Sequence, residues 1–154
     1  MTATNKELLE TYLDEVWCKG NTHKIKDFLA IDHDIKGTYY DGVMSIEDLT
    51  AQTHALHALV QNPHYTITHA VEQEDTISIR ALFTLTAAHN TGQSFTIQVH
   101  LFMRAKDGKI AELSSLIDMM SLFEHLGQLP SDVLPICMTG QRLRWAEESL
   151  ELEN

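Results

Sequence analysis

The sequence predicts an α+β fold, and three observations carry that prediction. Apolar residues recur at helical spacing up to about Gln61. The spacing changes to strict alternation from His64. Short turns then separate one alternating run from the next. Helices followed by tightly connected strands read as helices packed on an antiparallel sheet.

The first helix has a capping box, Thr4 with Glu7 three residues on, where each side chain satisfies an orphan backbone N–H. Leu8, Leu9, Tyr12, Leu13 and Val16 form its apolar stripe, and Gly20 is its expected stop. A second, short helix is expected from Thr22 to Leu29, burying Ile25, Phe28 and Leu29. Ser45 and Asp48 repeat the capping-box pattern ahead of a third helix, whose stripe is Ile46, Leu49, Leu56, Leu59 and Val60. Asn62-Pro63 ends it, because the residue before a proline is pushed out of helical geometry.

Four strands follow, as a meander. Tyr65, Ile67, His69 and Val71 form the first alternating row. Ile77, Ile79, Ala81, Phe83 and Leu85 form the second, and Phe95, Ile97, Val99, Leu101 and Met103 the third. The last strand runs from Lys109 to about Asp118, after an Asp107-Gly108 hairpin turn. Three N-terminal helices packed into one face of a strongly curved antiparallel sheet close a cone-shaped α+β barrel. The other sheet face is left free to meet a second subunit, so a homodimer is expected. Residues 1–130 are read as this domain. Residues 131–154 are read as an extension in which Pro135 blocks a helix and Thr139 to Glu153 forms an extra C-terminal one.

Composition removes whole classes of function. The chain has 154 residues and a formal net charge of −11, which disfavours binding to phosphate backbones or anionic lipid. No apolar run approaches the roughly 20 residues that cross a bilayer, so no membrane is expected. Cys18 and Cys137 make no disulfide framework, and MTATNKELLE is no secretory leader, so a reduced cytoplasm is expected.

At the last two strands a family pattern appears. Phe102-Met103-Arg104, Asp107-Gly108-Lys109-Ile110, Glu112, Asp118 and Leu126-Gly127-Gln128-Leu129, in that order and spacing, resemble the SnoaL-like branch of the nuclear-transport-factor-2-like superfamily. The match covers about Glu7 to Pro130. Two positions depart from it. Ser114 stands where the family often has an aromatic residue, which is expected to widen the cavity, and His125 precedes the Leu-Gly pair where glutamine is common. This fold hosts isomerases, cyclases, hydrolases and plain binding modules, so membership alone does not name a reaction.

The resemblance implies that an aspartate at the position of Asp118 is the general acid/base. Alternation places Glu112, Ser114, Leu116 and Asp118 on one face of the last strand, and the resemblance implies that this face lines the cone. A carboxylate in an apolar pocket could take a proton from the α-carbon of a hydrophobic carbonyl compound and return it, with no cofactor. Equally, Asp118 could cap the helix expected from Met119 to Leu126. His100, on the even row with Phe102 and Arg104, is the second catalytic candidate if register brings it into the same cavity, and otherwise an ordinary strand histidine. Ser114, Leu116, Phe102, His57 and Tyr40 are candidate ligand contacts. Tyr40, in the Gly37-Thr38-Tyr39-Tyr40 segment, would offer a phenol at the mouth or would seal the loop. His54 and His57, three apart on one helix, point in different directions and make a poor ligand pair, so no metal is expected. A non-catalytic binding or interaction module of the same fold is the competing reading.

Overall fold

The computed structural model describes residues 3–37 and 42–144, and these fall in two compact units, Met1–Met119 and Met120–Asn154. The division lies inside the stretch read above as one domain.

The first unit opens with α1, Asn5–Tyr12, closed at its start by the Thr4–Glu7 capping box. The chain then widens into a π-helical segment, Leu13–Cys18, where the sequence predicts uninterrupted α-helix. Gly20 follows in the left-handed region at φ 72°, which a glycine adopts without steric cost. The Glu15 carboxylate pins this corner, accepting from Lys19 Nζ at 2.6 Å, Lys24 Nζ at 2.5 Å and Asn21 Nδ2 at 2.9 Å. Those bonds, led by Lys19, pull its carboxyl down to about 2. A 3-10 turn at Thr22–Lys24 and a single helical turn, α2, Ile25–Phe28, replace the second helix expected.

Leu29–Lys36 is a strand, β1, where no strand was expected. Its sequence alternates poorly because it is an edge strand, with only Leu29 and Ile35 buried. Helix α3, Ile46–Leu59, has its capping box in place, Ser45 Oγ accepting from Asp48 N–H at 3.1 Å. The chain passes directly into β2, Val60–Gln73, followed by β3, Thr76–Ala87, β4, Asn90–Lys106, and β5, Lys109–Ile117. The sheet order is β1-β5-β4-β3-β2, with β1 parallel to β5 and every other pair antiparallel. It therefore has five strands, and the predicted meander is four of them. Pro63 is tolerated because β2 is the other edge, and a bulge at Ile67/His69 breaks its row so that Val71 faces solvent.

The core forms where the odd-numbered rows of β3 and β4 meet the first helices. Ile77, Ile79, Ala81, Val99, Leu101 and Met103 are buried, as are Leu9, Tyr12, Leu13 and Val16. The Tyr12 ring stands edge-on to Phe28 at 5.6 Å, and burial pushes its phenol up to about 12. Helices against one face of a curved sheet are the predicted α+β cone.

Helix α4, Met119–His125, begins on the last residue of the first unit, and the rest of it belongs to the second, as does α5, Val133–Met138. Gly127 at φ 76° ends α4, with Gln128 N–H donating to Phe123 O at 2.9 Å. Pro135 sits inside α5 and does not block it, because the first helical turn has no use for that N–H. The extra helix expected from Thr139 is not formed over 139–144, and its remaining residues lie outside the described ones. Among the described residues no helix is long and apolar enough to cross a membrane.

Candidate functional site

A cavity of ≈ 70 Å³ opens among Trp17, Gln52, Thr53, Leu56, His57, Ser115, Ile117 and Met119. Three elements build it. On α3, residues 52, 53, 56 and 57 share one side because a helix returns to the same face every three to four residues. Ser115 and Ile117 belong to the odd row of β5, and Trp17 comes from the π-helical segment.

The π-helical segment has a consequence for the site. The N–H groups that follow it reach back to the carbonyls of Asp14, Val16 and Glu15, from Lys19, Gly20 and Asn21 respectively. The Trp17 carbonyl instead meets His57 Nε2 at 2.9 Å. Pi-type interruptions of this kind occur often at functional sites. The Trp17 ring is held by Phe83 at 5.6 Å between centroids, and Phe83 in turn stacks on Tyr65 at 5.3 Å. Thr53 Oγ1 donates to Leu49 O at 2.8 Å, which commits its hydroxyl to the helix. Beside this corner, burial first and the Asp14 charge second push the Cys18 thiol up to about 11, so it is no thiolate nucleophile.

The face of β5 that lines the cavity is the opposite of the one expected. Ser114 and Leu116 lie on the outer face, Leu116 being 64% exposed. A one-residue irregularity between Arg104 and Ala105 explains the reversal. The turn pairs Lys106 with Lys109, a register that continued unbroken would set odd residues of β4 against even ones of β5. Past the irregularity Met103 pairs with Leu113 and Val99 with Ile117, so odd faces odd and every side chain of β5 changes face. Ser114 therefore does not widen the cavity; Ser115 is the small residue in its wall.

His100 and Phe102 share that outer face, paired with Leu116 and Ser114, so register does not bring His100 into the cavity. Arg80 runs across the same face, donating to Gln98 Oε1 at 3.0 Å and Thr68 Oγ1 at 3.3 Å. Asp118 follows β5, its N–H donating to Gln98 O at 3.0 Å, and its side chain is exposed rather than enclosed in an apolar pocket. Its two neighbours, Ile117 and Met119, both line the cavity, which puts its backbone at the rim. His57 lies in the wall. Tyr40 lies outside the described residues. His54 Nε2 is 3.3 Å from Thr22 Oγ1, and among the described residues no group of three or more His, Cys, Asp or Glu is placed to hold a metal ion.

The sequence pattern points to none of Trp17, Gln52, Thr53, Ser115 and Ile117 as site residues, while Met119 is one of several methionines that suit either an adaptable pocket or the core. The apolar odd row of β4 carried the signal for β5, had the register been known.

The family model for SnoaL-like polyketide cyclases matches residues 7–126. No curated protein matches the chain in sequence. Among solved structures, a candidate polyketide cyclase from Acidithiobacillus ferrooxidans superposes with a TM-score of 0.69 at 16% identity, covering 83% of this chain and 97% of that one. AclR, a candidate hydroxylase from Streptomyces galilaeus, gives 0.68 at 21% identity, covering 84% and 100%. A protein of ketosteroid isomerase-like fold from Catenulispora acidiphila, in complex with trimethylamine, gives 0.66 at 20%, covering 84% and 98%. At these identities the superpositions speak for the fold.

Proposed function

Because the chain belongs to the SnoaL-like polyketide cyclase family, we propose that it encloses a small, mostly apolar carbonyl compound in the cavity between α3 and β5. The chemistry is cofactor-free proton transfer of the cyclase or isomerase type, with Asp118 as the acid/base group at the rim. The observation that carries this reading is the cavity itself: apolar walls from Trp17, Leu56, Ile117 and Met119, a few polar groups, and a carboxylate-bearing residue between two of its lining residues. Its size narrows the ligand. At ≈ 70 Å³ it is smaller than the roughly 150 Å³ cavity known to hold benzene, so it suits a compound of a few heavy atoms, not a multi-ring one.

The test is exchange of the α-protons of hydroxyacetone for deuterium, followed by proton NMR in D₂O. Catalysed exchange is expected. Exchange at the uncatalysed rate would overturn the enzymatic reading. A protein that then still bound the ketone would be the binding module, a reading favoured by the lack of any carboxylate among the described lining residues.

The outer face of the sheet is the proposed surface for a second copy of the chain. Phe102 is 40% and Leu116 64% exposed, diagonal neighbours across β4 and β5. Burying both on association supplies apolar area that a monomer leaves in water. Leu116→Glu is expected to convert a dimer to monomer in sedimentation equilibrium; a wild-type protein that is monomeric at high concentration would contradict the assignment.

A further inference from the structure

The α3 wall of the cavity carries a group whose proton geometry fixes. His57 Nε2 faces the Trp17 carbonyl at 2.9 Å, and a carbonyl oxygen can only accept. Nε2 therefore carries the hydrogen, and in the neutral ring the lone pair is on Nδ1. Among the described residues no hydrogen bond reaches Nδ1.

Two backbone features maintain that state. The π-helical segment leaves the Trp17 carbonyl to His57, since the N–H groups beyond it bond to other carbonyls. Gly20 keeps the ring uncrowded: a Cβ at that position would stand 3.3 Å from Cε1 and 3.4 Å from Nδ1 of His57. Any other residue at φ 72° would also be strained there. The ring is thus pinned at one nitrogen, with no hydrogen bond from the described residues at the other, and it lines a cavity whose described lining residues include no carboxylate.

Resting on the reading of this cavity as a substrate site, we propose that His57 is a catalytic proton acceptor, with Trp17 and Gly20 as positioning residues. Nδ1 takes the α-proton of a small enolisable ketone: the C–H bond breaks, the Nδ1–H bond forms, and the electron pair moves to the carbonyl oxygen as an enolate. The imidazolium trades its Nδ1 proton with solvent and then delivers a solvent-derived proton to the enolate carbon, or Asp118 delivers one from the rim. Gln52, in the same wall, brings amide N–H groups suited to the enolate oxygen. The substrate class is a ketone no bulkier than hydroxyacetone, with an acidic C–H beside the carbonyl.

Nitrogen-15 NMR of the histidine rings in the full chain, together with hydroxyacetone exchange, tests this. His57 is expected as the Nε2–H tautomer. His57→Gln is expected to lower kcat for exchange at least tenfold with KM and thermal unfolding unchanged, and His54→Gln, three residues away, to leave exchange as in the wild type. An Nδ1–H tautomer, or wild-type exchange in His57→Gln, overturns the proposal. If exchange falls in Asp118→Asn but not in His57→Gln, this proposal alone fails. If it falls only in His57→Gln, the role of Asp118 fails and that of His57 stands. If the wild type neither binds nor exchanges the ketone, the substrate-site reading and this proposal fall together.

Discussion

Asp118→Asn is expected to slow hydroxyacetone exchange by about 10²- to 10⁴-fold, the usual contribution of one general acid/base. The substitution is chosen because it separates the two roles open to this residue. Asp118 immediately precedes α4, and asparagine is as good a helix-capping residue as aspartate. A purely structural Asp118 would therefore tolerate the change, with stability and exchange both near wild type. An acid/base Asp118 would not, because a neutral amide neither takes nor gives the proton. Ketone binding is expected to survive, since Ile117 and Met119, not Asp118, line the cavity. Wild-type exchange in Asp118→Asn would remove the carboxylate from the mechanism.

Local signals in the sequence are legible where local physics decides. Both capping boxes, Thr4–Glu7 and Ser45–Asp48, form, because their partners are three residues apart and need nothing from the rest of the chain. The Asp107-Gly108 turn forms with both residues at positive φ, as a two-residue hairpin requires. The apolar rows of β3 and β4 lie on the buried face, since alternation and burial agree there.

What was not legible depends on distant parts of the chain. β1 carries Asp32, His33 and Asp34 in its middle and is a strand because β5 offers a parallel partner, with Ile35 opposite Leu113. No propensity announces that pairing. The π-helical segment has no clear signature in Leu13–Cys18, yet it frees the carbonyl that fixes His57. Most consequential is the irregularity between Arg104 and Ala105. Both Ile110 and Ala111 are buried around it, so two successive residues point inward and the alternation of β5 restarts one residue out of phase. A single unpaired residue exchanged Ser114 for Ser115 in the cavity wall.

That exchange provides the most direct measurement of the account: the affinity for hydroxyacetone of Ser115→Leu compared with Ser114→Leu. The two substitutions are chemically identical and adjacent, but they project from opposite faces of β5. Leucine at 115 enters a cavity of only ≈ 70 Å³. It is expected to weaken binding at least about 100-fold, roughly 2.7 kcal/mol, with a further overpacking cost to stability of about 1–3 kcal/mol. Leucine at 114 projects from the opposite face, away from the cavity, and is expected to leave affinity for the ketone unchanged. Binding lost in Ser114→Leu and kept in Ser115→Leu would place the ligand on the other face of the sheet and contradict the account.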